Sequence, residues 1–371
     1  MYTEKELVRI AKRENNTKRN YLVVNRLQGK HIPVEPRECL RMFDELAAVV
    51  AKEYKGEKLL LVGFAETATA IGARLAVDMD CYYMQTTREQ EEGVEYLYFT
   101  EAHSHATEQK LIKTDLDRMI DDIGRIVFVE DEVTTGNTIL NIVELIQQAY
   151  SRKASFSVAS LLNGMDAEAE TRYRERGIRL HYLVKTDHSH YPEIAEEYRG
   201  DGVYHKYPEN NPEKSLVPFQ RYQAAGYRDG RRLVKGADYE EACRSLAEQM
   251  RQRLSFAEGE KVLVLGTEEF MYPAIYAASV IADAGCMVRC HATTRSPIAV
   301  STEAEYPLHE RYELHSFYDE ERRTFLYDLE KYDKVVVLTD SRQTAERGIR
   351  DLCCRLAECG NKDIHVIRWC E

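Results

Sequence analysis

The apolar positions of this chain fall in short runs separated by amphipathic stretches. Residues 57–64 ("EKLLLVGF"), 81–87 ("CYYMQTT"), 126–129 ("IVFV"), 156–162 ("FSVASLL") and 180–186 ("LHYLVKT") have the length and continuity of buried strands. Between them the spacing turns helical, over residues 68–79 and from Thr138 to Tyr150, where Ile139, Ile142, Val143 and Ile146 share one face. Such alternation predicts a parallel sheet wrapped by helices. From about residue 200 it stops. "RGDGVYHKYPENNPEKSLVPFQ" holds three prolines and many turn formers, which reads as a connector or an ordered excursion, and a helix resumes over 238–254.

The order then recurs. "LLLVGFAETATAIGARLAVDMDCYYMQTTRE" is answered by "VLVLGTEEFMYPAIYAASVIADAGCMVRCHATTRS": strand, glycine, a loop bearing glutamate, an alanine-rich helix, a strand, then Thr-Thr-Arg. Further on, "IVFVEDEVTTGNT" is answered by "KVVVLTDSRQTA". Gly63 to Thr86 spans 23 residues and Gly266 to Thr293 spans 27; Thr86 to Asp131 spans 45 and Thr293 to Asp340 spans 47. Matched order with nearly matched spacing predicts a duplicated α/β unit.

The stretch 125–146, "RIVFVEDEVTTGNTILNIVELI", carries the chemistry. In open α/β sheets ligands bind beyond the carboxyl ends of the strands, and Glu130 and Asp131 stand at such an end. Thr134–Thr138 leads straight into a helix, so its N–H groups and hydroxyls converge where an anion is favoured, and Gly136 lets the backbone turn tightly. An acid pair cannot share that phosphate. It suits ribose hydroxyls, directly or through Mg²⁺-bound water, so a five-carbon sugar phosphate would span both features. A strand end with a threonine-rich helix cap is the plainer alternative.

Composition narrows the classes. A net charge of −12 argues against a sequence-independent grip on nucleic acid, while leaving room for a small anion held by backbone N–H groups. No apolar run is long enough for a membrane span, and the charged start predicts no secretion signal. Nine scattered cysteines, with no C-x-x-C pair, predict reduced thiols and a cytoplasmic protein. Cys286, Cys290 and His291 are close in sequence, but no second ligand pair follows to complete a zinc site.

Residues 126–138 resemble the phosphoribosyl-diphosphate signature of type I phosphoribosyltransferases: four apolar residues, two acids, two more residues, then T-T-G-x-T. Asn137 departs mildly, where glycine is common. The resemblance implies that Glu130 and Asp131 meet the ribose hydroxyls and that Thr134, Thr135, Gly136, Asn137 and Thr138 hold the 5-phosphate. It places a diphosphate loop at "GFAETATAIG", with Ala65, Glu66 and Thr67 around the diphosphate, and makes Arg88 of "TTR" a candidate there. A solvated arginine fits that position as well. It also implies a mobile lid over residues 92–111, in which His103 and His105 are candidates to meet the departing diphosphate or shuttle a proton. Exposed histidines without a role are the alternative. Purine-salvage members carry an aspartate where this chain has Thr134, so the pattern leans toward an orotate-like acceptor.

Over residues 20 to 371 the chain is also similar to two-domain proteins of bacterial tellurite-resistance and stress gene clusters. These pair an orotate-phosphoribosyltransferase-like domain with a C-terminal domain named for the tetrapeptide TRSP, here Thr294–Pro297. The expected fold class is therefore α/β, with two doubly wound parallel-sheet domains, the second a degenerate phosphoribosyltransferase-like repeat. The expected boundaries are 1–205 for the first domain, 206–255 for connector and helix, and 256–371 for the TRSP domain. The implied function is transfer from 5-phosphoribosyl 1-diphosphate with Mg²⁺, releasing diphosphate, to an acceptor the sequence does not identify. A non-catalytic sensor of phosphoribosyl diphosphate or a nucleotide is the alternative, and a tandem-repeat diphosphokinase fits less well because its intact phosphate loop lies in the second copy. A homo-oligomer, such as a dimer, would suit the family.

Asn25, Gln28, Lys30 and His31 of "NRLQGKH" are candidates to grip the acceptor, or else belong to a sheet extension with a glycine turn. In the second half Arg295, Ser296 and Arg342 would gather at the strand ends and suit a second planar anion. A purely structural domain is the other reading.

Overall fold

A computed structural model of the chain describes residues 2–14, 19–100, 108–151, 154–207, 217–342 and 346–370. The chain forms two compact units. One comprises Met1–Glu4, Leu40–Asp187 and Arg228–Glu241, and the other Lys5–Cys39, His188–Tyr227 and Ala242–Glu371. This division is interleaved, whereas the sequence suggested consecutive domains. Residues 5–39 fold with the C-terminal half because their apolar face is completed there. Ala11 and Val24 share a core with Ile298, Val300, Tyr306, Leu308, Phe325 and Tyr327.

The first unit is built on a six-stranded sheet ordered Val234–Lys235, Tyr82–Gln85, Leu59–Gly63, Arg125–Val133, Ser155–Asn163, Arg179–Lys185. All neighbours are parallel except the edge pair Val234–Lys235 with Tyr82–Gln85. The central strands are apolar on both faces, as a sheet covered on both sides requires. The signature strand is longer than expected, Arg125–Val133, so the acids belong to the strand itself. Its helix runs Asn137–Ala149, with Ile139, Leu140, Ile142, Val143 and Ile146 buried. The helix Thr69–Asp78 lies tight on the neighbouring strand: a Cβ on Gly72 would stand 2.9 Å from the Gly63 Cα. Two glycines therefore set that approach.

The second unit contains a five-stranded, wholly parallel sheet ordered Gln220–Gln223, Ile364–Arg368, Lys334–Thr339, Lys261–Gly266, Met287–Ala292. Beside it are a three-stranded sheet (Val203–His205, Glu310–His315, Arg323–Tyr327) and the hairpin Val8–Lys12 with Tyr21–Asn25. Antiparallel pairing is thus more frequent than two plain doubly wound sheets would give. The hairpin strands are buried along most of their length.

The two sheets correspond strand for strand around their centres. Leu59–Gly63 stands between Tyr82–Gln85 and Arg125–Val133, and Lys261–Gly266 stands between Met287–Ala292 and Lys334–Thr339. Each unit places an antiparallel hairpin between its second and third central strands: Tyr96–Thr100 with Glu108–Ile112, and Glu310–His315 with Arg323–Tyr327.

Candidate active site at the strand ends of the first unit

Gly63 pairs with Val129, so the loop after the first strand and the acids after Val129 emerge side by side. The Phe64 N–H still donates to the Val129 carbonyl (3.0 Å) before the loop departs. The loop then turns through a cis peptide between Ala65 and Glu66. Three groups close a ring around Ala65. Its N–H donates to Thr86 Oγ1 (2.8 Å), the Thr86 hydroxyl donates to Gln109 Oε1 (2.6 Å), and Gln109 Nε2 donates to the Ala65 carbonyl (2.7 Å). Thr86 and Gln109 are buried, so each hydrogen bond is made out of water, where losing a partner is costly. Gln109 was not among the expected residues. It sits within the expected lid, on the strand Glu108–Ile112 of a hairpin, and no motif marks it.

Thr67 follows, and its hydroxyl donates to Asp131 Oδ1 at 2.9 Å. This bond joins the expected diphosphate loop to the expected ribose-binding acids. Asp131 is half-buried, and desolvation, helped by the negative charge of Glu132, pushes its carboxyl up to about 6 against the pull of the Thr67 bond. Glu130, the residue before it, is also half-buried. Its charge adds to burial in raising the Tyr173 phenol well above its ordinary value.

The turn after the acids depends on one residue. Gly136 has φ +68°, the left-handed region, and immediately precedes the helix. The Tyr173 hydroxyl donates to the Gly136 carbonyl at 2.7 Å, and Arg172 Nη2 reaches the Thr135 carbonyl at 3.4 Å. Backing the carbonyls in this way turns the opposite face of the loop, with its N–H groups, toward the helix start. The Asn137 N–H lies 3.4 Å from Thr135 Oγ1. Thr134, Thr135, Asn137 and Thr138 are all half-buried around this turn. A helix N-terminus of this kind favours phosphate.

Arg88 is half-buried just past the strand Tyr82–Gln85, and Glu66 is buried in the loop. His103 and His105 lie outside the described residues. For Mg²⁺, no group of three or more His, Cys, Asp or Glu that could hold a metal occurs among the described residues. The donors at hand are the adjacent carboxylates Glu130 and Asp131. That set fits an ion held mostly by substrate oxygens and water, which is the usual state of protein-bound Mg²⁺.

The acceptor candidates belong to the second unit. Asn25, Gln28, Lys30 and His31 are buried in the second unit. Asn25 Oδ1 accepts the Leu27 N–H (2.9 Å), and the Lys30 ammonium donates to the carbonyls of Glu268 (2.7 Å) and Thr293 (2.9 Å). His31 packs edge-on against Tyr327. In the same unit Arg295 binds Glu268 and Glu269, Ser296 uses its backbone (N–H to Thr294 Oγ1, carbonyl to the Tyr327 hydroxyl), and Arg342 is exposed. The sequence put Arg295, Ser296 and Arg342 in one anion site, and Arg295 stands in a charged cluster with Glu268 and Glu269.

A family model described as phosphoribosyl transferase matches residues 7–189, and one described as the TRSP domain C-terminal to that family matches residues 226–353. No curated protein matches the chain. Among solved structures, an adenine phosphoribosyltransferase from Rhodothermus marinus DSM 4252 is 15% identical, with a TM-score of 0.34, over 49% of this chain and 96% of that one. The enzyme from Giardia lamblia complexed with 9-deazaadenine is 14% identical (TM-score 0.37), over 49% and 95%. An orotate phosphoribosyltransferase from Aeropyrum pernix is 17% identical (TM-score 0.29), over 45% and 80%. Likenesses of that strength carry no functional argument. Among the described residues no helix is long and apolar enough to cross a membrane.

Proposed function

Because the chain carries an N-terminal phosphoribosyl transferase domain and a C-terminal TRSP domain, we propose that its first unit transfers the phosphoribosyl group of 5-phosphoribosyl 1-diphosphate to a nucleophilic acceptor, releasing diphosphate. The observation that supports this reading is the 2.9 Å bond from Thr67 to Asp131, which joins the loop after Gly63 to the acid pair at adjacent strand ends. In the reaction the bond from C1 to the diphosphate oxygen breaks with its electron pair, and the acceptor's lone pair forms the new bond to C1. Positive charge builds on the ribose meanwhile.

Each group then has one task. The turn Thr134–Thr138 holds the 5-phosphate on N–H groups and hydroxyls. Asp131 and Glu130 hold the ribose hydroxyls, and their negative charge favours the cationic transition state. Ala65, Glu66 and Thr67 line the diphosphate, with Arg88 as its counter-charge. Glu130 and Asp131 would help to hold Mg²⁺, which would neutralise charge on the diphosphate. The Gln109–Thr86 ring fixes the Ala65 carbonyl and so the orientation of the loop before substrate arrives, which lowers the reorganisation needed for transfer. We read the second unit as a degenerate copy of the first, on the shared central strand order.

Calorimetric titration with phosphoribosyl diphosphate, with and without Mg²⁺, tests the site. Magnesium-dependent binding that Thr135→Ala and Asp131→Asn both weaken is the expected result. Binding that ignores both substitutions would place the ligand elsewhere, and binding without turnover on any nitrogen base tried would favour a sensor.

A further inference from the structure

Backbone hydrogen bonds put the two units in register residue by residue. The Thr86 N–H donates to the Gly63 carbonyl (3.0 Å), and the Thr293 N–H donates to the Gly266 carbonyl (3.1 Å). Two residues after each glycine, an N–H returns to the same threonine: Ala65 to Thr86 Oγ1 at 2.8 Å, Glu268 to Thr293 Oγ1 at 3.0 Å. The carbonyl of that residue accepts Gln109 Nε2 in the first unit and Lys30 Nζ in the second, each at 2.7 Å. Isolated bridges continue the match, Thr87 with Lys110 and Thr294 with Phe325. Glu268 therefore stands where the first unit has Ala65, and Arg295 where it has Arg88.

Where the first unit has a methyl group, the second has a carboxylate, and the surroundings close on it. Glu268 is 1% exposed. Arg295 Nε lies 2.5 Å and Arg322 Nη1 3.0 Å from its Oε2, and the Ser316 hydroxyl donates to its Oε1. Arg295 Nη2 also reaches Glu269 Oε1 at 3.3 Å. Ser316 and Arg322 flank the turn of the hairpin Glu310–His315 with Arg323–Tyr327, the counterpart of the hairpin beside the first unit's diphosphate loop. Two guanidinium groups and a hydroxyl converging on oxygen atoms form a phosphate receptor. The carboxylate is held there against a backbone cost. Glu268 has φ +48°, a left-handed conformation that a residue with a Cβ rarely adopts. A buried ion pair is weak reason by itself to accept such a cost, since apolar packing serves stability as well.

We propose that the second unit contains a binding site for a phosphate-type anion that the chain fills with its own Glu268 carboxylate. The arginine pair is then satisfied internally, and a phosphate or diphosphate can enter only when that carboxylate leaves. The proposal stands apart from catalysis in the first unit, since it concerns only residues of the second.

The test is titration of Glu268→Ala with inorganic pyrophosphate, counting equivalents bound per chain. The variant should bind one equivalent more than wild type, about tenfold tighter than any binding by wild type at that site, and the added equivalent should vanish in Glu268→Ala/Arg295→Ala. Pyrophosphate should also raise the unfolding midpoint of Glu268→Ala read from Trp369, the chain's one tryptophan, which is buried in this unit. Glu268→Gln, which keeps the volume and removes the charge, should show the same increment with weaker affinity. No added equivalent, or one that survives loss of Arg295, overturns the proposal. So does failure to recover either variant folded in the presence of pyrophosphate, because an external anion should then have replaced the missing one. Loss of pyrophosphate binding to the first unit would lower the baseline for wild type and variant alike, leaving the increment readable.

Discussion

Replacing Gly136 with alanine attacks the phosphate turn at its geometric centre. The residue sits at φ +68°, which costs alanine about 1–2 kcal/mol over glycine. The new Cβ would fall 2.3 Å from the Tyr173 hydroxyl oxygen and 2.6 Å from Met165 Cε, far inside contact. Both neighbours are buried, so relief requires moving packed side chains, for roughly 1–3 kcal/mol. Moving Tyr173 also breaks its 2.7 Å bond to the Gly136 carbonyl, for about 1 kcal/mol. The sum is roughly 3–6 kcal/mol. With a urea dependence of about 2–3 kcal/mol/M, the transition of the first unit, followed by far-UV circular dichroism, should fall by about 1 M or more. Affinity for magnesium phosphoribosyl diphosphate should fall with it. A variant within about 0.5 kcal/mol of wild type that still binds the ligand normally would refute this account of the turn.

Three further outcomes follow from single contacts. Asp131 titrates near 6 in the fold against an ordinary 3.8, so the folded state binds the proton more tightly than the unfolded chain. The ionised carboxylate therefore costs stability at pH 7, and the cost fades as pH falls through 6 toward 5. Asp131→Asn should be more stable than wild type at pH 7 by a margin that shrinks at pH 5, and an equal margin at both would contradict the shift. Gln109→Ala leaves the Ala65 carbonyl without its donor and Thr86 without its acceptor, so about 1–3 kcal/mol of stability and about tenfold in phosphoribosyl-diphosphate affinity should be lost; calorimetry showing unchanged affinity would deny the loop-positioning role. Lys30→Met strips the donor from two buried carbonyls and should lower the Trp369 fluorescence midpoint by about 2–4 kcal/mol equivalent, whereas an acceptor-binding lysine would leave that midpoint in place.

The alternation of strands with helices and the signature were legible because both are local. Continuous apolar runs mark doubly covered strands, and "EDEVTTGNT" puts acids, glycine and hydroxyls within nine residues of one another. The non-local parts were not. Gln109 acts on Ala65 from 44 positions away, and a lone glutamine on a hairpin carries no pattern. "NRLQGKH" read as a gripping segment because its polar residues are rich in donors. Burial reverses that sense, since a lysine enclosed beside two carbonyls is committed to the fold. Arg295 showed a guanidinium without showing its counter-ion. "TEEF" lies 27 residues upstream of it, and only the folded register reveals that the anion is already supplied by the chain.

The interleaved division also sets an order of events during synthesis. Lys12 donates its N–H to the hydroxyl of Tyr306, 294 positions on, and Lys30 waits 238 positions for the Glu268 carbonyl. At roughly 5–20 residues per second, the opening segment spends about 10–60 s outside the ribosome before its partners exist. Its apolar hairpin meanwhile has no core to join, while the first unit's central strands have all emerged. The second unit can close only around a segment made first, so it is completed at the end of translation. A piece cut from the C-terminal half alone would lack its own beginning.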